Sequence, residues 1–386
     1  MHICKKMSGK MKVNASGQIK GSCLEMCPER ERKVRELQMR LHPLEMVTGT
    51  ENSKRPIANP SATIKEYSRP AAGKVDTLTS DLRPPQVLLK TTHYLINRIL
   101  PRSDYRYAKL YDFVFDRLRS IRQDLVIQRA VGTECVQILE IAVRFHLYSG
   151  YRLCTERVAQ FDGKINSDHT QECLKRLLIL YQDADQEGAV VSVHREEFEA
   201  LYLLFNLGST DALCHAISLP KKVRQHPSVQ LAFCLRSAHL QGNFVRVWRL
   251  ASNCDYLQSC ALHRYLMLSR WRALQVLCVA YSSKNLRFPV GLLTRWLLFD
   301  TDRETAEICR CYGLMVDDSG IQFQKSCTGT TELPKPLECH KLVDSKQGEV
   351  KVRDLLMGCP SKGQTTTADQ GNSTTQASRQ TTQAGS

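Results

Sequence analysis

Apolar positions along this chain recur at intervals of three and four far more often than they alternate, so the elements they predict are helices. The plainest run is Tyr107, Leu110, Val114, Leu118, Ile121 and Leu125, one stripe on a long helix. Behind it, Glu134 to Tyr148 is apolar on nearly every side, through Cys135, Val136, Ile138, Leu139, Ile141, Ala142, Val143, Phe145 and Leu147. That pattern predicts a central helix covered by its neighbours, stopped by Gly150. Further helical windows fall at 168–182, 195–207, 210–218, 228–240, 243–252, 256–269 and 271–282, joined by short turns. Short connections between helices imply antiparallel stacked pairs. No fixed-period repeat is visible, so the expected stack is irregular.

The pattern changes at both ends. A helix should begin at Cys27-Pro28-Glu29-Arg30, where proline suits the first turn and Glu29 and Glu31 suit the positive end, and should run to about Val47. The stretch 48–61, with Gly49, Asn52, Pro56, Asn59 and Pro60, is expected to be a loop. A second helix starts at Asp81-Leu82-Arg83-Pro84-Pro85, carries Leu88, Leu95 and Ile99, and ends at Pro101. After Lys284 two short helices are expected at 289–299 and 302–312, the latter stopped by Gly313. Leu314-Met315-Val316, the turn Asp317-Asp318-Ser319-Gly320, and Ile321-Gln322-Phe323 then make a hairpin signature. With 271–282 in front, this is the order of a winged helix. The expected class is all-α: a basic disordered arm at 1–20, an N-terminal motif helix and extended segment at 21–83, the helical stack at 84–283, the winged helix at 284–326, and a mostly disordered tail at 327–386 with one short helix at 349–357.

Charge alters this picture more than composition does. No stretch of 18 apolar residues exists, and the lysine-rich N-terminus has no apolar segment behind it, so neither a membrane span nor a secretory signal is expected. The 16 cysteines then suit a reducing compartment, nucleus or cytoplasm, where buried thiols act as small hydrophobes. The net charge is +15, and residues 212–299 hold twelve basic residues against one acid, Asp255. A field of one sign favours phosphate or an acidic protein. The candidate surface comprises Lys221, Lys222, Arg224, Arg246, Arg249, Arg264, Arg270, Arg272, Lys284, Arg287 and Arg295. Trp248, Trp271 and Trp296 are interleaved with it and could stack on bases, although each taken singly reads as core.

No arrangement for catalysis stands out. Phosphate-wrapping glycine loops are missing, the eleven histidines are dispersed, and His146, inside an apolar helix, reads as a satisfied core histidine. Cys23 with Cys27, and Cys309 with Cys311, have no second pair to complete a tetrahedral site. Neither enzyme activity, metal, cofactor nor small-molecule substrate is expected. The block 111–124 packs Asp116, Arg117, Arg119, Arg122 and Asp124 onto a strongly apolar helix, which points to a structural charge network joining this helix to the next ones; the alternative is a partner or RNA contact through Arg117, Arg119 or Arg122.

Several segments together resemble the Sac-three/GANP family. They are Gly21-Ser22-Cys23-Leu24-Glu25-Met26-Cys27-Pro28-Glu29-Arg30-Glu31-Arg32, Tyr67-Ser68-Arg69-Pro70-Ala71-Ala72-Gly73-Lys74, Asp81-Leu82-Arg83-Pro84-Pro85, and Asp112-Phe113-Val114-Phe115-Asp116-Arg117 through Ile121-Arg122-Gln123-Asp124. Ala142-Val143-Arg144-Phe145-His146 and Gly242-Asn243-Phe244 continue the pattern. The resemblance covers about residues 20 to 325. It implies a PCI-like helical stack capped by a winged helix, without enzymatic activity. It also implies a PCI-type subunit and a small acidic protein as partners, and a nucleic-acid-binding surface on the paired winged helices. The pore-docking phenylalanine-glycine segment and the centrin-recruiting long helix of the large members have no counterpart here, which puts pore-tethered messenger-RNA export in doubt. The layout is nearer to the short members, associated with centrosome duplication and mitotic spindle progression. Those implications make the leading expectation a protein-binding scaffold at the centrosome and spindle, and the alternative an RNA-binding subunit in messenger-RNA processing or nuclear export.

Overall fold

A proline ahead of two early acids starts the first helix, and the next proline ends it sooner than the pattern suggested. The computed structural model describes residues 19–69, 78–190, 192–325 and 336–359; almost all of the arm 1–20 and all of the tail 361–386 lie outside the described residues. Helix α1 (Glu29–Leu37) has Glu29 and Glu31 in its first turn. It stops at Leu37 rather than near Val47. Pro43 cannot continue a helix, and the chain turns through Met39, at φ 53°, into a 3₁₀ turn at Pro43–Glu45 capped by His42. Residues 21–23 then lie beside 79–82: Ser22 N donates to Thr79 O and Cys23 N to Leu82 O, each at 2.9 Å. Gly21 is required there, because a Cβ would come within 2.5 Å of Leu82 O.

Helix α2 (Pro85–Tyr94) passes into a π-helical turn, Leu95–Ile99, before Pro101. The centre is built from α3 (Tyr107–Ile127), α4 (Thr133–Arg152) and α5 (Gly163–Glu187). The expected stripe on α3 is buried at Leu110, Val114, Leu118, Ile121 and Leu125. Helix α4 is buried from Ile138 to Ser149 without a break. Gly150 does not stop it. A Cβ at that position would sit 3.1 Å from Asn166 Nδ2, so the glycine lets α5 approach closely, and the helix ends two residues later. Helix α5 begins earlier than expected because Asp162 caps it, accepting from Lys164 N and Ile165 N.

The stack continues through α6 (Arg195–Phe205), α7 (Thr210–Ser218), the single turn α8 (Lys221–Arg224), α9 (Pro227–Leu240), α10 (Phe244–Ala251), α11 (Tyr256–His263) and α12 (Leu266–Ala280). Helix α4 packs on α2, α5 and α11, while α6 packs on α5, α9 and α11. Next come α13 (Val290–Trp296), α14 (Asp302–Cys311) and the antiparallel strands β1 (Met315–Asp317) and β2 (Gly320–Gln322), paired Met315 with Gln322 and Asp317 with Gly320. Phe288 exchanges two 2.8 Å backbone bonds with Ile321, adding a third edge to the hairpin. This is the helix, helix, hairpin order expected.

The segment after the hairpin has the short helix expected near 349–357 but is otherwise more ordered than expected. Residues 336–359 cross the stack as a packed strap, with Cys339, Leu342, Val343 and Leu356 buried. Helix α15 (Val352–Met357) packs on α4 and on the π-helical turn. His263 Nε2 meets Leu337 O at 2.7 Å, and Lys346 Nζ donates to Ala251 O and Ser259 Oγ, each at 2.7 Å. A low density of apolar residues concealed it. Four well-placed side chains and backbone bonds suffice when a groove already exists to receive them. One contiguous core runs from Leu44 to Leu356.

Candidate interaction surfaces

The charged residues of α3 are brought together with the N-terminal segment more than with the helices that follow. Glu45, fully buried, receives Arg117 Nη2 at 3.1 Å and Arg35 Nη1 at 3.1 Å. Its Oε1 also accepts from Ile64 N at 2.9 Å. Asp124, equally buried, takes Arg83 Nε at 2.8 Å and Lys65 Nζ at 2.7 Å. Arg117 also pairs with Asp116, Asp116 accepts from Tyr67 N, and the Arg119 guanidinium lies 3.8 Å from the centre of the Tyr67 ring. Only Arg122 reaches forward, to Glu172 at 2.5 Å and His169 at 2.9 Å on α5. The expectation that this network joins α3 to the next helices is therefore corrected: the main partners Glu45, Lys65, Arg83 and Tyr67 lie upstream. Sequence reasoning missed Glu45 and Arg83. The signal available was Glu45 after a proline in an amphipathic stretch, which does not reveal a partner 72 residues away.

Burial shifts several interior titratable groups. His146 is pushed down to about 3 by burial. Its Nδ1 faces Asn166 Oδ1 at 2.9 Å, while Asn166 Nδ2 donates to the His146 carbonyl, so Nδ1 carries the proton. Burial also pushes the Cys254 and Cys309 thiols up to about 12, which keeps them protonated. Among the described residues no group of three or more His, Cys, Asp or Glu is placed to hold a metal, and no helix is long and apolar enough to cross a membrane.

The basic region divides into interior and surface. Arg270 is a correction to the candidate set. Only 2% exposed, it donates from Nε to Leu297 O at 3.0 Å and from Nη2 to Leu298 O at 2.5 Å, pairs with Glu304 at 3.2 Å, and lies over the Phe299 ring. It caps the end of α13, where carbonyls lack helical partners. Arg236 does the same for α6, through the carbonyls of Asn206, Leu207 and Ser209. Trp248 and Trp271 are core residues at 1% and 7% exposure, so they offer no face to a base; Trp296 is half-buried against Phe288.

The rest of the set lies at the surface. Lys221, Lys222, Arg224, Arg246, Arg249, Arg264, Arg272, Lys284 and Arg295 are exposed, and Arg287 is half-exposed. Arg287 pairs with Asp317 at 3.3 Å, Arg264 rests over the Phe205 ring, and Arg224 donates to Ile217 O. Lys221, Lys222, Arg246, Arg249, Arg272, Lys284 and Arg295 make no ion pair among the described residues. Their carriers adjoin one another, since α10 packs on α9, α12 and α13, and α8 packs on α9. The single acid of the region, Asp255, is occupied as the cap of α11, accepting from Gln258 N at 2.8 Å.

A model of the SAC3/GANP family matches residues 26–318, from just before α1 to the turn of the hairpin. Protein xmas of Drosophila melanogaster is 30% identical over 357 residues, 89% of this chain and 17% of the fly protein. SAC3 family protein 1 of Schizosaccharomyces pombe is 30% identical over 363 residues, 88% of this chain and 35% of the yeast protein, and SAC3 family protein B of Arabidopsis thaliana is 26% identical over 349 residues, 87% of this chain and 20% of the plant protein. The chain thus spans between 17% and 35% of the length of these relatives. The family match takes in the N-terminal segment, the helical stack and most of the hairpin module, and on that match the chain belongs to the SAC3/GANP family.

Proposed function

We propose that this chain is a non-catalytic scaffold whose helical stack carries a basic docking surface for an acidic protein partner, acting in centrosome duplication and mitotic spindle progression. One observation carries the reading: seven cationic side chains stand exposed and without ion pairs on the adjoining elements α8, α10, α12 and α13 and the loop between the last two. Their charge supports a partner of opposite sign. A PCI-type subunit and a small acidic protein are the partners the family resemblance supplies. The cellular setting is carried over from the family resemblance of the sequence.

A nucleic-acid role in messenger-RNA processing or export is the second reading, supported by the same field, since phosphates are held by cations without sequence preference. Affinity purification with and without nuclease separates the two. A protein partner retained after nuclease, and lost on Arg246→Glu with Arg249→Glu, supports the scaffold; recovery that depends on intact RNA favours the second reading. The cellular setting is tested by tagging the chain and depleting it. Signal at spindle poles and altered centrosome number are expected, and neither would remain if the resemblance misleads.

A further inference from the structure

One face of α4 borders an open cleft. Thr133, Gln137, Glu140 and Arg144 share that face, about 16 Å long at 1.5 Å per residue. They floor a cleft of about 410 Å³ walled by His93 at the end of α2, by Val190 and Ser192 to His194 between α5 and α6, and by Met357 of α15. That volume is in the range of sites that hold small organic groups.

Of the two charged groups on the floor, Arg144 has an ion-pair partner and Glu140 has none among the described residues. Arg144 is 1% exposed and held by Glu197, with Nε to Oε1 at 2.8 Å and Nη2 to Oε2 at 2.7 Å. That bidentate pair occupies the guanidinium. Glu140, 3% exposed, is the second carboxylate. Its Oε1 accepts from Tyr181 OH at 2.8 Å and from Ser192 Oγ at 2.5 Å; its Oε2 accepts no hydrogen bond among the described residues. Glu140 lines the cleft, and a carboxylate there with acceptor capacity to spare favours a cationic donor. The rim is apolar: Val190 and Val193 are 86% and 82% exposed, and Ile141 and Met357 line the wall. An ammonium on an apolar stem matches both features.

We propose that this cleft receives a lysine side chain of a partner polypeptide, its ammonium donating to Glu140 Oε2 and its methylene stem lying against Ile141, Met357 and the two valines. The proposal is independent of the basic surface and would stand if that surface bound nothing. The test titrates the full chain, methyl-labelled at valine, isoleucine and methionine, with N-acetyl-lysine methylamide and with its norleucine isostere. Affinity in the millimolar range is expected for so small a probe. Saturable shifts should appear at Val190, Val193, Ile141 and Met357 with lysine and not with norleucine. Glu140→Gln should abolish them. Because that change touches a buried group, the decisive variant is Gln137→Lys, which alters an exposed side chain one turn away and places a tethered ammonium in the cleft. It should abolish the shifts while leaving methyl signals elsewhere unchanged. No saturable shift at tens of millimolar, equal shifts with norleucine, or shifts that survive Gln137→Lys would each overturn the proposal.

Discussion

Glu45 takes two guanidinium groups, from Arg35 and Arg117, into the interior, and removing it would strand both. Breaking a buried ion pair by deleting one partner costs about 3–5 kcal/mol, so Glu45→Ala should lower the melting temperature steeply, whereas Glu25→Ala, at a surface pair, should change stability by about 1 kcal/mol or less. Calorimetry on the two variants checks the contrast. Protonation adds a pH dependence. His146 stays neutral in the fold down to about pH 3 because it is buried, while an unfolded histidine takes a proton near pH 6.5. The unfolded state therefore binds the extra proton between these values, and stability falls as pH drops from about 6.5 towards 3. At pH 5.5 the loss from His146 alone is about 1.4 kcal/mol, and His263, also lowered by burial, acts in the same direction. Urea unfolding at about pH 7.5 and 5.5 measures it, and His146→Gln should flatten part of the slope. The core position of His146 was legible from the sequence because it sits within an apolar helix, but the expectation of a satisfied ring was not met, since its Nε2 is buried without a hydrogen-bond partner among the described residues. Glu45 and Arg83 were not legible, since the neighbours that make them interior residues come from distant parts of the chain.

Elements were legible where periodicity is local and obscure where packing against a distant segment sets the boundary. Helix α3 matches its stripe because one buried face determines the whole element. Helix α4 outruns Gly150 because the packed face of α5 supports the backbone there. The hairpin depends on Gly320, which holds φ 136° with its Cα so close to Phe288 that a Cβ would lie 2.5 Å from the Phe288 carbonyl oxygen. Gly320→Ala should therefore break the bond pair between Phe288 and Ile321, exposing Ile321 and its amide to fast hydrogen exchange without unfolding α3 to α5. The strap offers a second test. Leu342 is fully buried, and truncating a buried leucine to alanine costs about 2–5 kcal/mol. Leu342→Ala should thus destabilise the chain measurably in denaturant; a change below about 0.5 kcal/mol, the range typical of surface substitutions, would mean the strap does not fold with the stack.

At the scale of the whole molecule, charge and fold are separate variables. Arg236 and Arg270 belong to the fold, and the remaining cations of 212–299 belong to its surface. Reversing Arg246, Arg249 and Arg295 to Glu should leave the stability within about 1 kcal/mol of the parent while weakening the binding of any polyanion uniformly across sequences. If single-stranded RNA is the ligand, the dependence of log K on log salt should flatten by about 0.7 for each phosphate that is no longer neutralised. Filter binding over a range of salt reads the affinity and the slope together, and thermal unfolding reads the stability.

The sequence by itself determined the class and order of elements, because three-and-four spacing, proline and glycine act within a few residues of where they stand. It also determined the one-signed charge of 212–299, which is a property of composition. Tertiary structure decided which of those charges face inward: Arg270 is interior because the end of α13 presents carbonyls to it, and Arg117 because Glu45 is folded back against it. It also decided that 336–359 packs. A groove between α4, α11 and the α13–α14 corner exists only once the stack is assembled, and four apolar side chains gain a buried environment from it that their own segment could not provide.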